Sequence, residues 1–537
     1  MLKRIGALFV LLFAAHALAA EKVDVCVYGG TAGGVAAAVT VSKEGKSVIL
    51  IEPGRHLGGM SSGGLGQTDF GNKQVIGGLS RQFYKRTGKF YGQEEGWQFQ
   101  PHHAEQVFEE WVKENKVRVV REQRLKSVRK DGKKIVAIVL EKAATDETNA
   151  QVANASGEGL EIEAAVFIDA TYEGDLMAKA GVSYTVGRES AAQYGEPLNG
   201  IRAKTPLHQF LAKVDPYVKP GDPGSGLIPL IQNGDGGTPG EGDKRVQTYN
   251  FRLCLTKDPK NKMPITAPTG YEEKTYEVLA RHLEACAAAG KKITINNLLK
   301  IDMLPGGKTD INNNGAVSTD YIGMNWDYPD GDWAARGRIW REHLNYTQGL
   351  LYFLANNSRV PQPIRKEMGS WGLCKDEFID TSGWPHQMYV REARRMVGAY
   401  LITQADCEHK RPAVEDSVGM GAYNMDSHNC QRIVKNGAVE NEGDVQVRPS
   451  GPYPISYRAI TPKREECQNL LVPICLSATH IAYGSIRMEP VFMVLGESSA
   501  LAACQSIDEQ KSVQEIDGAK LKKKLLDAGQ VLEFKAK

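Results

Sequence analysis

Two histidines and two arginines are the side chains of this 537-residue sequence best suited to moving protons and stabilising charge. His428 lies in Met425-Asp-Ser-His-Asn429 and His480 in Ser477-Ala-Thr-His480. Histidine titrates near neutral pH, so either one can take the proton that leaves when a carbon bearing a hydroxyl or amine gives up hydride. The competing role for each is that of a satisfied structural histidine. Arg487 closes Gly484-Ser-Ile-Arg487, just ahead of Pro490 at the start of an apolar helix. A helix N-terminus beside a cation stabilises nearby negative charge, the dipole contributing roughly 0.3–2 kcal/mol. Arg391 and Arg395 are spaced for one face of a helix, shared with Gln387, and Arg391 is the candidate clamp for a substrate carboxylate or hydroxyl. Surface ion pairs are the plain alternative for these arginines.

Such chemistry needs a positioned cofactor, and Val23 to Pro53 reads as an element that holds one. Val23, Val25 and Val27 mark an apolar strand, Gly29, Gly30, Gly33 and Gly34 a turn, and Val35 to Lys43 an Ala/Val-rich helix. Ser47 to Ile51 is a second strand, closed by Glu52. This is a Rossmann-type βαβ unit, in which the helix N-terminus faces a pyrophosphate and the acid accepts from the adenosine ribose. The usual G-x-G-x-x-G spacing is broken at its middle position, where Thr31 stands. Its hydroxyl either shifts the pyrophosphate or donates to it. Downstream, Gly58, Gly59 and Met60 with Ser61 form a glycine-rich segment expected to run along the pyrophosphate and ribityl chain. Asp169-Ala170-Thr171 ends a later buried strand at the carboxyl edge of the sheet, where α/β ligands bind. Its alternative is a simple helix cap. Gly484 and Ser485 complete the expected cofactor contacts.

The bulk numbers bound the class. A formal net charge of +2 argues against a dedicated nucleic-acid binder. Lys3 and Arg4 precede the apolar stretch Ile5 to Ala15, and Ala17-Leu18-Ala19 offers small residues for cleavage after Ala19 or Ala20. That pattern predicts a secretory signal peptide over residues 1–20, hence a periplasmic or secreted protein with no membrane span after cleavage. No C-x-x-C pair occurs among the nine cysteines, which argues against a zinc ribbon or a cysteine-ligated cluster, and no metal is expected. Asp310, Asn312, Asn314 and Gly315 match the opening of a calcium loop, but Tyr321 replaces the closing glutamate, so the segment reads as an Asn-rich turn. Strands are expected over Val117 to Val128 and Lys134 to Glu141, a helix over Ala104 to Asn115, and an exposed polar loop from Ala144 to Gly159. Near the C-terminus a strand Leu470 to Cys475, a loop through Gly484 and a helix from about Pro490 to Ile507 follow.

Several separated pieces agree with one family. They are Tyr28-Gly-Gly-Thr-Ala-Gly-Gly34, Glu52 with Leu57-Gly-Gly-Met60, Phe167-Ile-Asp-Ala-Thr171 with Gly174-Asp175, Asp310-Ile-Asn-Asn313, Tyr389 to Arg395, Asp416-Ser-Val-Gly419, Met425 to Asn429, Tyr457-Arg458, and Ser477 to His480 with Gly484 to Arg487. Taken together, the sequence resembles the secreted bacterial FAD-dependent oxidoreductases whose flavin domain is similar to that of heterodisulfide reductase. The resemblance implies an α/β fold: a Rossmann-type FAD-binding domain with an inserted mixed α+β substrate domain. The corresponding division is residues 21–190 for the first part of the FAD domain, 191–440 for the substrate or cap domain, 441–510 for the returning FAD part and 511–537 for a C-terminal helix or tail. It further implies FAD as cofactor and hydride transfer from a small or sugar-like substrate, such as a carbohydrate, with electrons passing on to oxygen, a quinone or another carrier. Rival expectations are a flavin-independent carbohydrate-active enzyme and a non-catalytic binding protein of a glycan system.

Overall fold

The computed structural model describes residues 20–534, so the expected signal peptide, up to residue 19, lies outside the described residues. The chain opens with β1 (Glu21–Tyr28), α1 (Ala32–Lys43) and β2 (Val48–Glu52). Helices α2 (Gly78–Lys89) and α3 (Pro101–Glu114) follow, then β3 (Arg118–Arg121), β4 (Gln123–Asp131), β5 (Lys134–Lys142) and β6 (Glu158–Asp169). Strands β3, β2, β1 and β6 lie parallel in that order, and the short strand Leu470–Leu471 adds beyond β6. The first half of β6 pairs instead with β5, antiparallel, and β5 with β4. One long strand therefore belongs to both the parallel sheet and an antiparallel meander. This is an α/β architecture, mixed in its sheet, with helices packed against it.

The expected single strand Val117 to Val128 is in fact two. Glu122 interrupts it with a left-handed backbone (φ +56°), sending β3 to the parallel edge and β4 to the meander. Its N–H donates to Gly54 O and its carbonyl accepts from Ala143, so the kink is tied on both sides.

Helix α1 is buried from Ala32 to Val41 on every face, which fits its Ala/Val composition better than an amphipathic surface helix would. What covers it is the helix Glu489–Glu509, itself buried from Glu489 to Ser506. This helix has a mean hydropathy of 1.2 over 18 residues and alone among the described residues is long and apolar enough to cross a membrane, yet it sits in the core. A β-carbon on Gly496 would stand 2.1 Å from the Gly33 carbonyl oxygen, so the two backbones touch.

A second, five-stranded sheet joins Leu299–Leu304, Lys308–Asn313, Leu255–Thr256, Gly372–Cys374 and Lys262–Met263. The expected Asn-rich turn at 310–315 is thus largely strand. Only its end turns, at Asn314-Gly315, because cross-strand pairing with Leu299–Leu304 claims the rest. Residues 389–394 are extended rather than helical, and Arg395–Met396 is a short strand. Successive side chains there point to different carboxylates, Arg391 to Asp320, Arg394 to Asp175 and Asp330, Arg395 to Glu189, which an extended chain allows and one helix face does not. The expected loop through Gly484 contains a helix, His480–Ile486, capped by the Thr479 hydroxyl. The Ala144–Gly159 loop is not wholly exposed: Thr145 and Gln151 bridge one another, and Ala150 is buried.

The Gly33–Gly496 contact yields a stability prediction. Gly496→Val should lower unfolding free energy by about 3 kcal/mol or more, since the side chain meets backbone that cannot yield. Gly518→Ala, where an added carbon meets nothing within 4 Å, should stay within about 0.5 kcal/mol. Urea unfolding of both variants checks this, and equal midpoints would refute the close-packing account.

Candidate active site

The β1–α1 turn begins at Gly29, whose φ of +108° is a conformation suited to glycine. Thr31 caps α1: its hydroxyl accepts from Gly34 N–H at 3.1 Å and donates to Ala170 O at 2.8 Å. The expectation that this hydroxyl donates to a phosphate is therefore corrected, because its one proton already goes to Ala170. A β-branched residue suits an N-cap, and it stitches the turn to the end of β6. Gly30 N–H donates to Glu52 Oε2 at 2.7 Å and Gly54 N–H to Oε1 at 2.6 Å. Burial pushes the Glu52 pKa up, opposed by these two donors. Gly58 N–H donates to Gly30 O at 2.7 Å, which lays the double-glycine segment alongside the turn.

Beyond it, Met60 N–H donates to Tyr172 Oη at 2.9 Å; that hydroxyl donates to Glu489 Oε1 at 2.7 Å, and Ser61 Oγ to Oε2 at 3.1 Å. Burial raises Glu489 to about 7. Asp169 does not face the turn with its carboxylate, which accepts from Thr171 and from Met177 N–H and is pushed up to about 6 by burial. Its cap-like role is the one the geometry displays. Gly29, Thr31, Glu52, Thr171 and Tyr172 line a cleft at the carboxyl ends of the parallel strands, closed from the far side by Trp333 and Trp340. A helix N-terminus, a ribose-distance acid and a glycine-lined passage on one cleft are the donor and acceptor set that a dinucleotide requires.

The segment after the double glycine leads to a buried charged cluster. A β-carbon on Gly64 would lie 2.2 Å from Arg252 O, and Gln67 N–H donates to Asp310 Oδ2 at 2.9 Å. Arg252 grips Asp310 through two bonds of 2.7 Å. The guanidiniums of Arg391, Arg487 and Arg252 surround the Tyr389 ring at 4.7, 5.8 and 5.9 Å. Arg487 donates to Tyr389 Oη at 3.0 Å and to Asp426 Oδ2 at 2.8 Å. Arg391 pairs with Asp320 at 3.1 Å, and Asp320 holds His428 Nδ1 at 2.9 Å. A carboxylate only accepts, so Nδ1 carries the proton and Nε2 is the free acceptor, 3.7 Å from Asp426. Burial drives the His428 pKa well below its ordinary value, Arg391 adding to the effect and Asp426 opposing it. Nearby, burial and then Asp426 raise Asp444 to about 8.

Three of the four expected chemical residues, His428, Arg391 and Arg487, thus meet in one cluster. His480 stands behind it: its Nδ1 meets Glu392 at 2.7 Å, and Glu392 also binds Gln247, whose Oε1 accepts from His428 N–H at 3.2 Å. Gly484 and Ser485 also support the cluster. Gly484 packs on Asp426 backbone, and Ser485 Oγ donates to Tyr423 O at 2.6 Å. His56, next to the double glycine, is held between Glu105 and Asp380 and stacks on His386. Sequence reasoning missed Asp320, Asp426 as a charge partner, and Arg252. Asp426 lay inside a motif already singled out; Asp320 and Arg252 carry no local spacing signal.

None of the curated proteins compared matches this chain. Among solved structures, OxyS anhydrotetracycline hydroxylase from Streptomyces rimosus is similar over 35% of this chain and 41% of its own, at 11% identity and TM-score 0.24. A flavoprotein/dehydrogenase from Cytophaga hutchinsonii is similar over 31% and 44%, at 18% identity and TM-score 0.23. A geranylgeranyl bacteriochlorophyll reductase-like protein from Thermoplasma acidophilum is similar over 95% and 84%, at 13% identity and TM-score 0.36. The chain thus spans less than half the length of the first two. These likenesses are loose, and the assignment rests on the sequence family. Residues 24–525 match the family described as FAD dependent oxidoreductase. Covering nearly all of the described chain, that match means that this protein belongs to the FAD-dependent oxidoreductase family.

Proposed function

We propose that this FAD-dependent oxidoreductase oxidises a small hydroxylated, sugar-like substrate outside the cytoplasm, with His428 as the base. The observation that carries the reading is the Arg391–Asp320–His428 array, which leaves His428 Nε2 as a neutral acceptor inside a buried polar cluster. Unpartnered donors in that cluster are Arg391 Nε, Arg487 Nε and Arg252 Nη1, and unpartnered acceptors include Asn250 Oδ1 and Asn429 Oδ1. A mixture of both kinds favours hydroxyl groups, each of which donates and accepts. Because the family is an oxidoreductase family, neither rival expectation, of a flavin-independent enzyme or a non-catalytic binder, is retained.

The residues that would hold FAD are the Gly29–Gly34 turn, Glu52 and the Gly58–Ser61 segment. When bound, it supplies two-electron, hydride-accepting chemistry. The protein's part begins with the substrate hydroxyl at His428 Nε2. As the carbon loses hydride, the hydroxyl proton passes to Nε2 and the imidazole becomes charged. Asp320 stabilises that charge through Nδ1, and Arg391 keeps Asp320 ionised and in place. Arg487, fixed by Asp426, and Arg391 lend positive potential to oxygen atoms that gain negative charge. Gly484 and Ser485 brace the strand that carries Asp426 and His428.

Anaerobic bleaching of the bound flavin by a panel of polyols, sugars and hydroxy acids tests the reading. His428→Gln should bind FAD as the wild type does and bleach at least about 100-fold more slowly. Bleaching at the wild-type rate would remove His428 from the chemistry. With a substrate in hand, the acidic limb of kcat/KM should lie below pH 6.5, because the folded protein holds His428 neutral there. Arg391→Met removes a cation that depresses this group, so the limb should move to higher pH, whereas Asp426→Asn removes an anion that raises it and should move the limb lower. Export is checked by sequencing the mature N-terminus, expected at Ala20 or Glu21.

A further inference from the structure

The far wall of the dinucleotide cleft contains a loop built with care, although its sequence looks like a plain polar connection. Asp146 Oδ1 accepts from the N–H groups of Thr148 and Ala150 at 2.9 and 3.0 Å. Arg55 Nη1 donates to Thr145 Oγ1 at 2.9 Å and to Asp146 O at 3.1 Å, and Trp340 Nε1 donates to Thr148 O at 3.2 Å. Asn149 stands in the left-handed region at φ +63°, which asparagine tolerates better than most residues. Such a residue persists where its surroundings determine it.

Asn149 and Gln151 line the cleft together with Glu52. The Asn149 amide nitrogen donates to His386 O and that of Gln151 to Pro53 O, each at 2.9 Å. Turning either amide over would set oxygen against oxygen, so the donors fix which end is which. Both amide oxygens, Asn149 Oδ1 and Gln151 Oε1, are buried without a hydrogen-bond partner. Buried acceptors ordinarily find donors. A pyrophosphate offers only acceptors, and an isoalloxazine ring offers a single ring N–H. Adenosine offers an exocyclic amine and ribose hydroxyls.

We propose that Asn149 and Gln151 accept hydrogen bonds from the donor groups of the adenosine half of FAD, so that the 145–151 loop is the element distinguishing FAD from FMN. The inference rests on the cofactor, not on the substrate reading or on His428.

Titration of apoprotein with FAD and with FMN, followed by flavin fluorescence, tests it. Wild type should bind FAD at least about 100-fold tighter than FMN. Asn149→Gly, which keeps the positive φ, and Gln151→Met, which keeps the length, should each weaken FAD about tenfold and leave FMN affinity unchanged. Unchanged FAD affinity in both variants overturns the proposal. Equal losses for FAD and FMN also overturn it, because they mark a loop that is merely scaffold. Thermal unfolding of each variant shows that it is folded, and Gln151→Met, at a position without positive φ, stands as the second test should Asn149→Gly misfold.

Discussion

The backbone contact between Gly33 and Gly496 is the constraint on which the rest of the molecule depends. It joins the helix that opens the dinucleotide turn to a helix more than 400 residues later, and it does so at a distance that admits no side chain on either partner. The beginning of the second helix carries Glu489, bonded to Ser61 and Tyr172, and the residue two before it is Arg487. One packing contact therefore sets the cofactor segment and the charged cluster in register. A shift of this helix along its axis would disturb both at once.

Charge in the cluster is arranged as alternation. Asp310, Asp320 and Asp426 each hold one arginine, and the three arginines share one tyrosine ring. A buried ion pair is poor evidence of stability, since desolvation offsets much of the attraction. Its value here is geometric. Each arginine is held through some of its donors while one remains unpartnered, and His428 is oriented through one nitrogen while the other stays open. Positions are rigid, and the remaining hydrogen-bonding capacity is turned toward a ligand.

Much of this was legible in the sequence because it is local. The βαβ unit, the acid at its end and the double glycine announce themselves through strand and helix periodicity and through residues with special backbone needs. His428 and Arg487 were visible as chemistry-bearing types in short motifs. What escaped was non-local. Arg391 was read on a helix because its spacing to Arg395 fits one, but four different carboxylates from distant segments draw that stretch out straight. Glu122 carries no glycine or proline to mark the break between β3 and β4, so a run of β-formers looked like one strand. Asp320 acquires meaning only through His428 and Arg391, each more than 70 residues away. Thr31 shows the opposite error, in which a departure from a motif suggested ligand contact and proved to be a cap.

The covering of α1 by the Glu489–Glu509 helix also has a consequence for how the chain comes to be folded. On synthesis, α1 emerges early, apolar on every face, and its partner emerges last. No earlier segment can take that place, because only Gly496 permits the approach to Gly33. The first βαβ unit must therefore wait, incompletely buried, while more than 400 residues are added, an interval in which exposed apolar surface invites aggregation. A chain built this way depends on holding factors during its growth, and its cofactor cleft is completed only when the C-terminal helix docks.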